Sequence, residues 1–181
     1  EGVQEVSNGS FSQEGAELVT NGDFSNGLNA WSGGAGNTVA NNQLIANSTG
    51  LFYQGLGLTA NKTYKAEINI ESISQGGVKF YCQGNQSVAI TTPGVHIIYI
   101  VAGSSNILVG INPQGVFEAV VNSISYKEVG QDWTLGANWS IGEDKITSNA
   151  SGLLQQSTSE LTVGKTYKTS FEITEYTSGG V

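Results

Sequence analysis

Tyr64-Lys65-Ala66-Glu67-Ile68-Asn69-Ile70-Glu71 alternates strictly between apolar and polar residues. Tyr64, Ala66, Ile68 and Ile70 fall on one side, and Lys65, Glu67, Asn69 and Glu71 on the other. A period of two marks a strand with one face in a core and one in water. Working outward, Val78-Lys79-Phe80-Tyr81-Cys82 has the same alternation, which places Cys82 in the core and Tyr81 on the wetter face. Residues 95–101 (Val95-His96-Ile97-Ile98-Tyr99-Ile100-Val101) are apolar on both sides, the pattern expected of a central sandwich strand. Leu44-Ile45-Ala46, Leu51-Phe52-Tyr53-Gln54, residues 107–111 and residues 116–121 supply further strand candidates. Turn signals such as Asn21-Gly22, Gly33-Gly34, Gly76-Gly77 and Pro93-Gly94 separate them. No stretch has a convincing helical period. Many short strands at regular spacing predict an all-β chain folded as a jelly-roll β-sandwich.

Composition agrees with that class. Only 12% of the 181 residues are charged, and the formal net charge is −8. An acidic chain lacks the basic footprint of non-specific nucleic-acid binding, so nucleic acid is not an expected partner. No run approaches the roughly 18 apolar residues of a membrane-spanning helix, so membrane insertion is not expected either. The single cysteine, Cys82, leaves no intrachain disulfide framework.

The chain also repeats itself. Gly50-Leu51-Phe52-Tyr53-Gln54 returns as Gly152-Leu153-Leu154-Gln155-Gln156, and Lys62-Thr63-Tyr64-Lys65 as Lys165-Thr166-Tyr167-Lys168. Gly76-Gly77-Val78 returns as Gly179-Gly180-Val181. Trp31-Ser32 is matched with Trp139-Ser140, 108 residues on, whereas Tyr167 and Val181 lie 103 residues after their counterparts. A period near a hundred residues is that of a domain and too long for a solenoid. The expected organisation is residues 1–16 as a linker or the end of an upstream module, 17–127 as one complete module, and 128–181 as the first part of a second. A half sandwich leaves its inner faces wet, so the remaining strands are expected from a longer native chain or from strand addition by another chain.

The stretch Leu18-Val19-Thr20-Asn21-Gly22-Asp23-Phe24-Ser25-Asn26-Gly27-Leu28-Asn29-Ala30-Trp31-Ser32 resembles the opening of carbohydrate-binding-module-like jelly rolls. These belong to the galactose-binding-domain-like fold, with module families four and nine among them. Val121-Asn122-Ser123-Ile124-Ser125-Tyr126-Lys127-Glu128-Val129 resembles their last strand. The stretch around Asp132-Trp133-Thr134-Leu135-Gly136-Ala137-Asn138-Trp139-Ser140-Ile141 is similar to a repeat opening found in bacteriophage virion proteins and large bacterial surface proteins. Function is carried by sites rather than folds, so the resemblance sets an expectation of architecture before one of activity.

A sugar site needs an aromatic plane flanked by amide and carboxylate groups. Tyr53, Tyr81 and Tyr99 are the candidate planes, and Glu67 and Asn69 are the candidate hydrogen-bonding neighbours, with Lys79 and Gln83 beside them. Asn21-Gly22 permits a turn with positive φ that lets Phe24 enter the core. Related modules often hold a structural calcium near this opening, which makes Asp23 the candidate ligand; no other cofactor is expected. Catalysis has little support, because the lone His96 lies in an apolar strand and no Ser-His-Asp set or paired carboxylates stand out.

The expected function is therefore that of a non-enzymatic virion structural or adhesion protein: a phage tail fibre, appendage or capsid decoration on the virion or extracellular surface. Its expected partners are other virion proteins or copies of itself, as a homo-oligomer with a trimer as the candidate state, together with cell-surface glycans. The alternatives are the carbohydrate-binding module of a secreted polysaccharide-degrading enzyme and a bacterial surface adhesin.

Overall fold

The strands that alternation singles out all pair, but their neighbours are far away in sequence. The computed structural model describes residues 2–136, 138–157 and 161–179. In chain order the strands are β1 (Glu14–Glu17), β2 (Ser32–Gly33), β3 (Thr38–Ala40), β4 (Gln43–Ser48), β5 (Phe52–Gly55), β6 (Thr63–Gln75), β7 (Val78–Cys82) and β8 (Asn85–Gln86). They continue with β9 (Gly94–Val101), β10 (Leu108–Pro113), β11 (Phe117–Val129), β12 (Thr134–Leu135), β13 (Trp139–Gly142), β14 (Lys145–Ser148) and β15 (Leu154–Gln155). There is no helix among the described residues.

Two antiparallel sheets face each other. The first runs β3-β4-β11-β6-β9, and the second β2-β5-β10-β7-β8. Tyr64, Ala66, Ile68 and Ile70 of β6 point inward and are fully buried, as their alternation requires. They meet Val78, Phe80 and Cys82 of β7 and Val109 and Ile111 of β10 in one core. On β11 both Val121 and Ile124 are buried although they are three residues apart. A register shift between Val121 and Ser123 explains this, because the extra residue, Asn122, returns the strand to its inward phase. Tyr126 crosses the core completely. Its ring meets Phe80 edge-on at 5.6 Å, and its hydroxyl donates to the Gly110 carbonyl of the opposite sheet at 2.7 Å.

Residues 95–101 are not central. Among the described residues β9 pairs only with β6 and ends the first sheet. Ile100 faces the core, while Val95 is 58% exposed and Ile97 47% exposed. Apolar character on both faces therefore reflects one buried and one uncovered face. His96 sits on this edge strand, with its Nε2 2.8 Å from the Thr92 carbonyl. Cys82 is buried, and burial pushes its thiol pKa up to about 12.

The opening loop has the expected turn with positive φ and the expected buried Phe24, but the glycine has a different role. Positive φ occurs at Asn21 (54°) and Phe24 (57°), whereas Gly22 is needed for close approach. A Cβ on Gly22 would lie 2.1 Å from the Ile124 carbonyl oxygen of β11. Phe24 is fully buried beside Trp31, and Trp31 stacks on Phe52 at 4.6 Å.

β1 begins within the stretch read as a linker: Glu14 is opposite Val129, and Glu17 is opposite Lys127. Glu14 accepts from both Lys65, at 2.5 Å, and Lys127, at 3.0 Å.

Beyond β11 two small strand pairings, one of them a hairpin, repeat earlier registers. Ala40 pairs with Gln43 across an Asn41-Asn42 turn, and Gly142 pairs with Lys145 across a Glu143-Asp144 turn, with positive φ at all four turn residues. Ser32 is opposite Tyr53, and Thr134 is opposite Gln155. Both correspondences are 102 residues long. The counterpart of Trp31 is therefore Trp133, and Trp139 corresponds to Asn37; the match of Trp31 with Trp139 was misled by a shared Trp-Ser pair. Further on, the Tyr167 hydroxyl accepts from the Thr162 amide at 2.7 Å, as the Tyr64 hydroxyl accepts from Thr59 at 3.1 Å. Residues 161–179 nevertheless contain no strand. A strand needs neighbours, and β6 has β11 and β9 where this stretch has none among the described residues. Gly180 and Val181, matched above with Gly77 and Val78, lie outside the described residues.

Candidate functional site

Alternation sends Tyr53 of β5 and Tyr81 of β7 to the outer face of the second sheet, because Phe52, Phe80 and Cys82 face the core. Register then brings the two tyrosines into one row. Gly110 of β10 is opposite Tyr53 on one side and Tyr81 on the other. Ser32 extends the row beyond Tyr53, and Gln86 extends it beyond Tyr81. Two strand spacings separate the rings, about 10 Å. Gly110 leaves the strip between them without a side chain. No other residue fits, since a Cβ there would lie 2.1 Å from the Phe52 carbonyl oxygen and 2.8 Å from the Tyr53 Cα.

The neighbours of the pair are polar. The Asn106 amide donates to the Tyr81 hydroxyl at 2.6 Å, and its carbonyl accepts from the Leu108 amide at 2.9 Å, which fixes the side chain. Asn112 donates to Gln86 at 3.4 Å and is opposite Lys79. Below the row the Tyr126 hydroxyl holds the Gly110 carbonyl. Burial raises the pKa of that phenol well above the ordinary value, so it is a permanent donor. Two half-exposed phenol rings with amides and an ammonium group around them can stack on an apolar ring face and bond its hydroxyls.

The other sequence candidates lie elsewhere. Glu67 and Asn69 are on the outer face of the first sheet, opposite Ser125 and Ser123. Asn69 accepts from Asn122 at 3.4 Å, and Asn122 accepts from Gln43 at 2.7 Å, while Gln43 also donates to Glu71. Gln83 is buried, with its amide donating to the Leu56 and Leu58 carbonyls at 3.2 and 3.1 Å. Glu67, Asn69 and Gln83 are thus not neighbours of Tyr81, whereas Lys79 is. Tyr99 also lies on the first sheet, opposite Lys65. It lines an open cleft of about 420 Å³ with Thr63, Val101, Ser140, Glu143 and Lys145. Its ring already packs on Gly142, where a Cβ would sit 2.9 Å from Cδ2.

Asp23 is in an exposed turn. Its Oδ1 accepts from the Ser25 hydroxyl at 2.9 Å and the Ser25 amide at 3.2 Å, which lowers its pKa. Among the described residues no group of three or more His, Cys, Asp or Glu side chains converges. One engaged carboxylate is a poor fit to the six to eight oxygens that calcium takes.

Sequence reasoning missed Asn106, Gly110, Asn112 and Gln86. Gly110 carried a readable signal, since a lone glycine inside an apolar run marks close backbone approach. No protein-family model matches this chain, and no curated protein matches it.

Proposed function

We propose that this chain is a non-enzymatic structural or adhesion protein of a virion or cell exterior, built on jelly-roll modules, and that its first module contacts surface glycans through Tyr53 and Tyr81, which the buried Gly110 spaces apart. The observation that supports this reading is the row itself: two half-exposed phenol rings flank an obligatory glycine on a solvent-facing sheet, with Asn106, Asn112 and Gln86 at its border. A flat aromatic platform with amides at its rim suits the apolar face of a pyranose, and about 10 Å of row spans more than one ring.

Glycan-array binding of the full chain tests the reading. Tyr81→Ala and Tyr53→Ala are each expected to weaken binding at least about tenfold while the unfolding midpoint stays put, since aromatic anchors dominate such contacts. Binding that survives both changes but falls with Tyr99→Ala moves the site to the cleft of the first sheet. Absence of glycan binding by the parent chain removes the site altogether. Virion membership has its own test. Banding of the native polypeptide with DNA-filled particles in a density gradient supports it, and recovery in the soluble secreted fraction favours a binding module attached to a polysaccharide-degrading enzyme.

A further inference from the structure

Two stretches near the start of the chain share a sequence pattern. Val6-Ser7-Asn8-Gly9-Ser10-Phe11-Ser12 and Val19-Thr20-Asn21-Gly22-Asp23-Phe24-Ser25 are 13 residues apart. They fold into the same loop. Phe11 N donates to Asn8 O at 3.1 Å, and Phe24 N donates to Asn21 O at 3.3 Å. Gln13 N donates to Asn8 Oδ1 at 3.1 Å, and Asn26 N donates to Asn21 Oδ1 at 2.9 Å. φ is positive at Asn8 and Phe11, as it is at Asn21 and Phe24.

Each loop sits on its own tryptophan and glutamine. Trp31 Nε1 donates to Asn21 O at 3.0 Å, and Trp133 Nε1 donates to Asn8 O at 3.0 Å. Gln54 exchanges two hydrogen bonds with the Thr20 backbone, at 3.1 and 2.6 Å. Gln156 exchanges two with the Ser7 backbone, both at 2.9 Å. Phe24 meets Trp31 at 5.9 Å, and Phe11 meets Trp133 at 5.3 Å. The earlier loop thus serves the later tryptophan, and the later loop serves the earlier one.

We propose that Trp133 and Gln156 form a socket that recognises an Asn-Gly-x-Phe-Ser loop, and that a second copy of this chain supplies that loop in trans. The in-chain seat is the weaker of the two. Phe24 and Trp31 are buried, whereas Phe11 and Trp133 are only half-buried. Ile124 N donates to Gly22 O at 2.9 Å, and Leu18 N donates to Tyr126 O at 3.0 Å, so β11 clamps the later loop. The Asn21 amide donates to the Gly27 and Asn29 carbonyls at 3.0 and 2.9 Å, but among the described residues Asn8 Nδ2 is buried without a partner, as is Gln131 Oε1. An unpaired buried amide leaves a desolvation cost standing and loosens the seat. What holds the loop is side-chain recognition that does not depend on covalent continuity. Loop and socket are different surfaces of one chain, so exchange links copies head to tail.

The test uses the full chain carrying Phe11→Ala, which weakens its own loop, titrated with a labelled peptide of residues 3–13. Saturable binding is expected, as is binding of a peptide of residues 16–26. Binding should fall at least tenfold when the peptide carries Phe11→Ala, and again when the chain carries Trp133→Leu. Gln156→Ala provides the same readout with the indole ring kept, should Trp133→Leu fail to fold. Two differently tagged parent chains should copurify, and Phe11→Ala in both should abolish this. No saturable binding, binding indifferent to these changes, or parent chains that never copurify would overturn the proposal.

Discussion

Gly110→Ala is the most informative single change in the first sandwich. The new Cβ would lie 2.1 Å from the Phe52 carbonyl oxygen, about 0.9 Å inside the 3.0 Å that real Cβ contacts respect. The obstacle is backbone of the neighbouring strand, so no rotamer change relieves it. β5 must move away from β10, where four register pairs run from Leu108–Gly55 to Ile111–Phe52. Overpacking of this kind costs about 1–3 kcal/mol, and each ladder bond weakened by the shift adds about 1 kcal/mol. A loss of about 3–4 kcal/mol follows, a large part of a typical domain stability of about 5–15 kcal/mol. In urea, with a slope of about 1.5 kcal/mol/M, the midpoint should fall by about 2 M. Gly57→Ala is the control. Nothing lies within 4 Å of its Cβ position, and it should stay within about 0.5 kcal/mol of the parent. Circular dichroism during urea titration reads both. A Gly110→Ala loss below about 1 kcal/mol would mean that β5 and β10 are not this close in solution, and the gap between Tyr53 and Tyr81 would lose its basis.

Glu14→Gln tests the tie between β1 and the first sheet. Hydrogen bonds from Lys65 and then Lys127 hold the Glu14 carboxyl below the ordinary carboxylate range, so the stabilisation is present above the unfolded value and is lost as pH falls through the lowered folded one. The pair is partly solvent-exposed, so the variant should cost only about 0.5–1 kcal/mol at pH 7 and converge with the parent in acid; a difference that persists in strong acid would contradict this. Cys82 should resist thiol reagents at pH 8 until the chain unfolds, because its thiol is buried with a pKa of about 12; rapid labelling under native conditions would refute the placement of β7.

Alternation fixes which side of a strand is dry, and it does so well here. Tyr64 through Ile70 and Val78 through Cys82 fold with the expected phase, because a one-residue slip would expose the whole apolar set. It says nothing about position within a sheet, which is why residues 95–101 read as central and lie at an edge. Cross-strand register was equally illegible. Tyr53 and Tyr81 are 28 residues apart and meet only because both face Gly110. Glu67 and Asn69 belong to a correctly read strand, yet the pattern could not say that β6 and β7 belong to opposite sheets. Repeats were legible as sequence but not in phase. Gln54 and Gln156 match in sequence, and their shared role of gripping a loop backbone became visible only through hydrogen bonds.

The uncovered half of β9 sets how this protein behaves at high concentration. Val95-His96-Ile97-Ile98-Tyr99-Ile100-Val101 contains no Asp, Glu, Lys, Arg or Pro, and among the described residues its outer row of backbone groups has no partner strand, only the Asn85 side chain donating to the Val101 carbonyl at 2.9 Å. Such an edge is a template for self-pairing, the hazard that proteins ordinarily blunt with lysine or proline. The hairpin of β13 and β14 lies over Tyr99 and Val101, bringing Glu143 and Lys145 to that end of the strand, while Val95 and Ile97 stay open. The later part of the chain therefore screens only the Tyr99 end of this strand. Removing the later part of the chain would uncover the Tyr99 end as well and leave the whole outer face of β9 open to pairing.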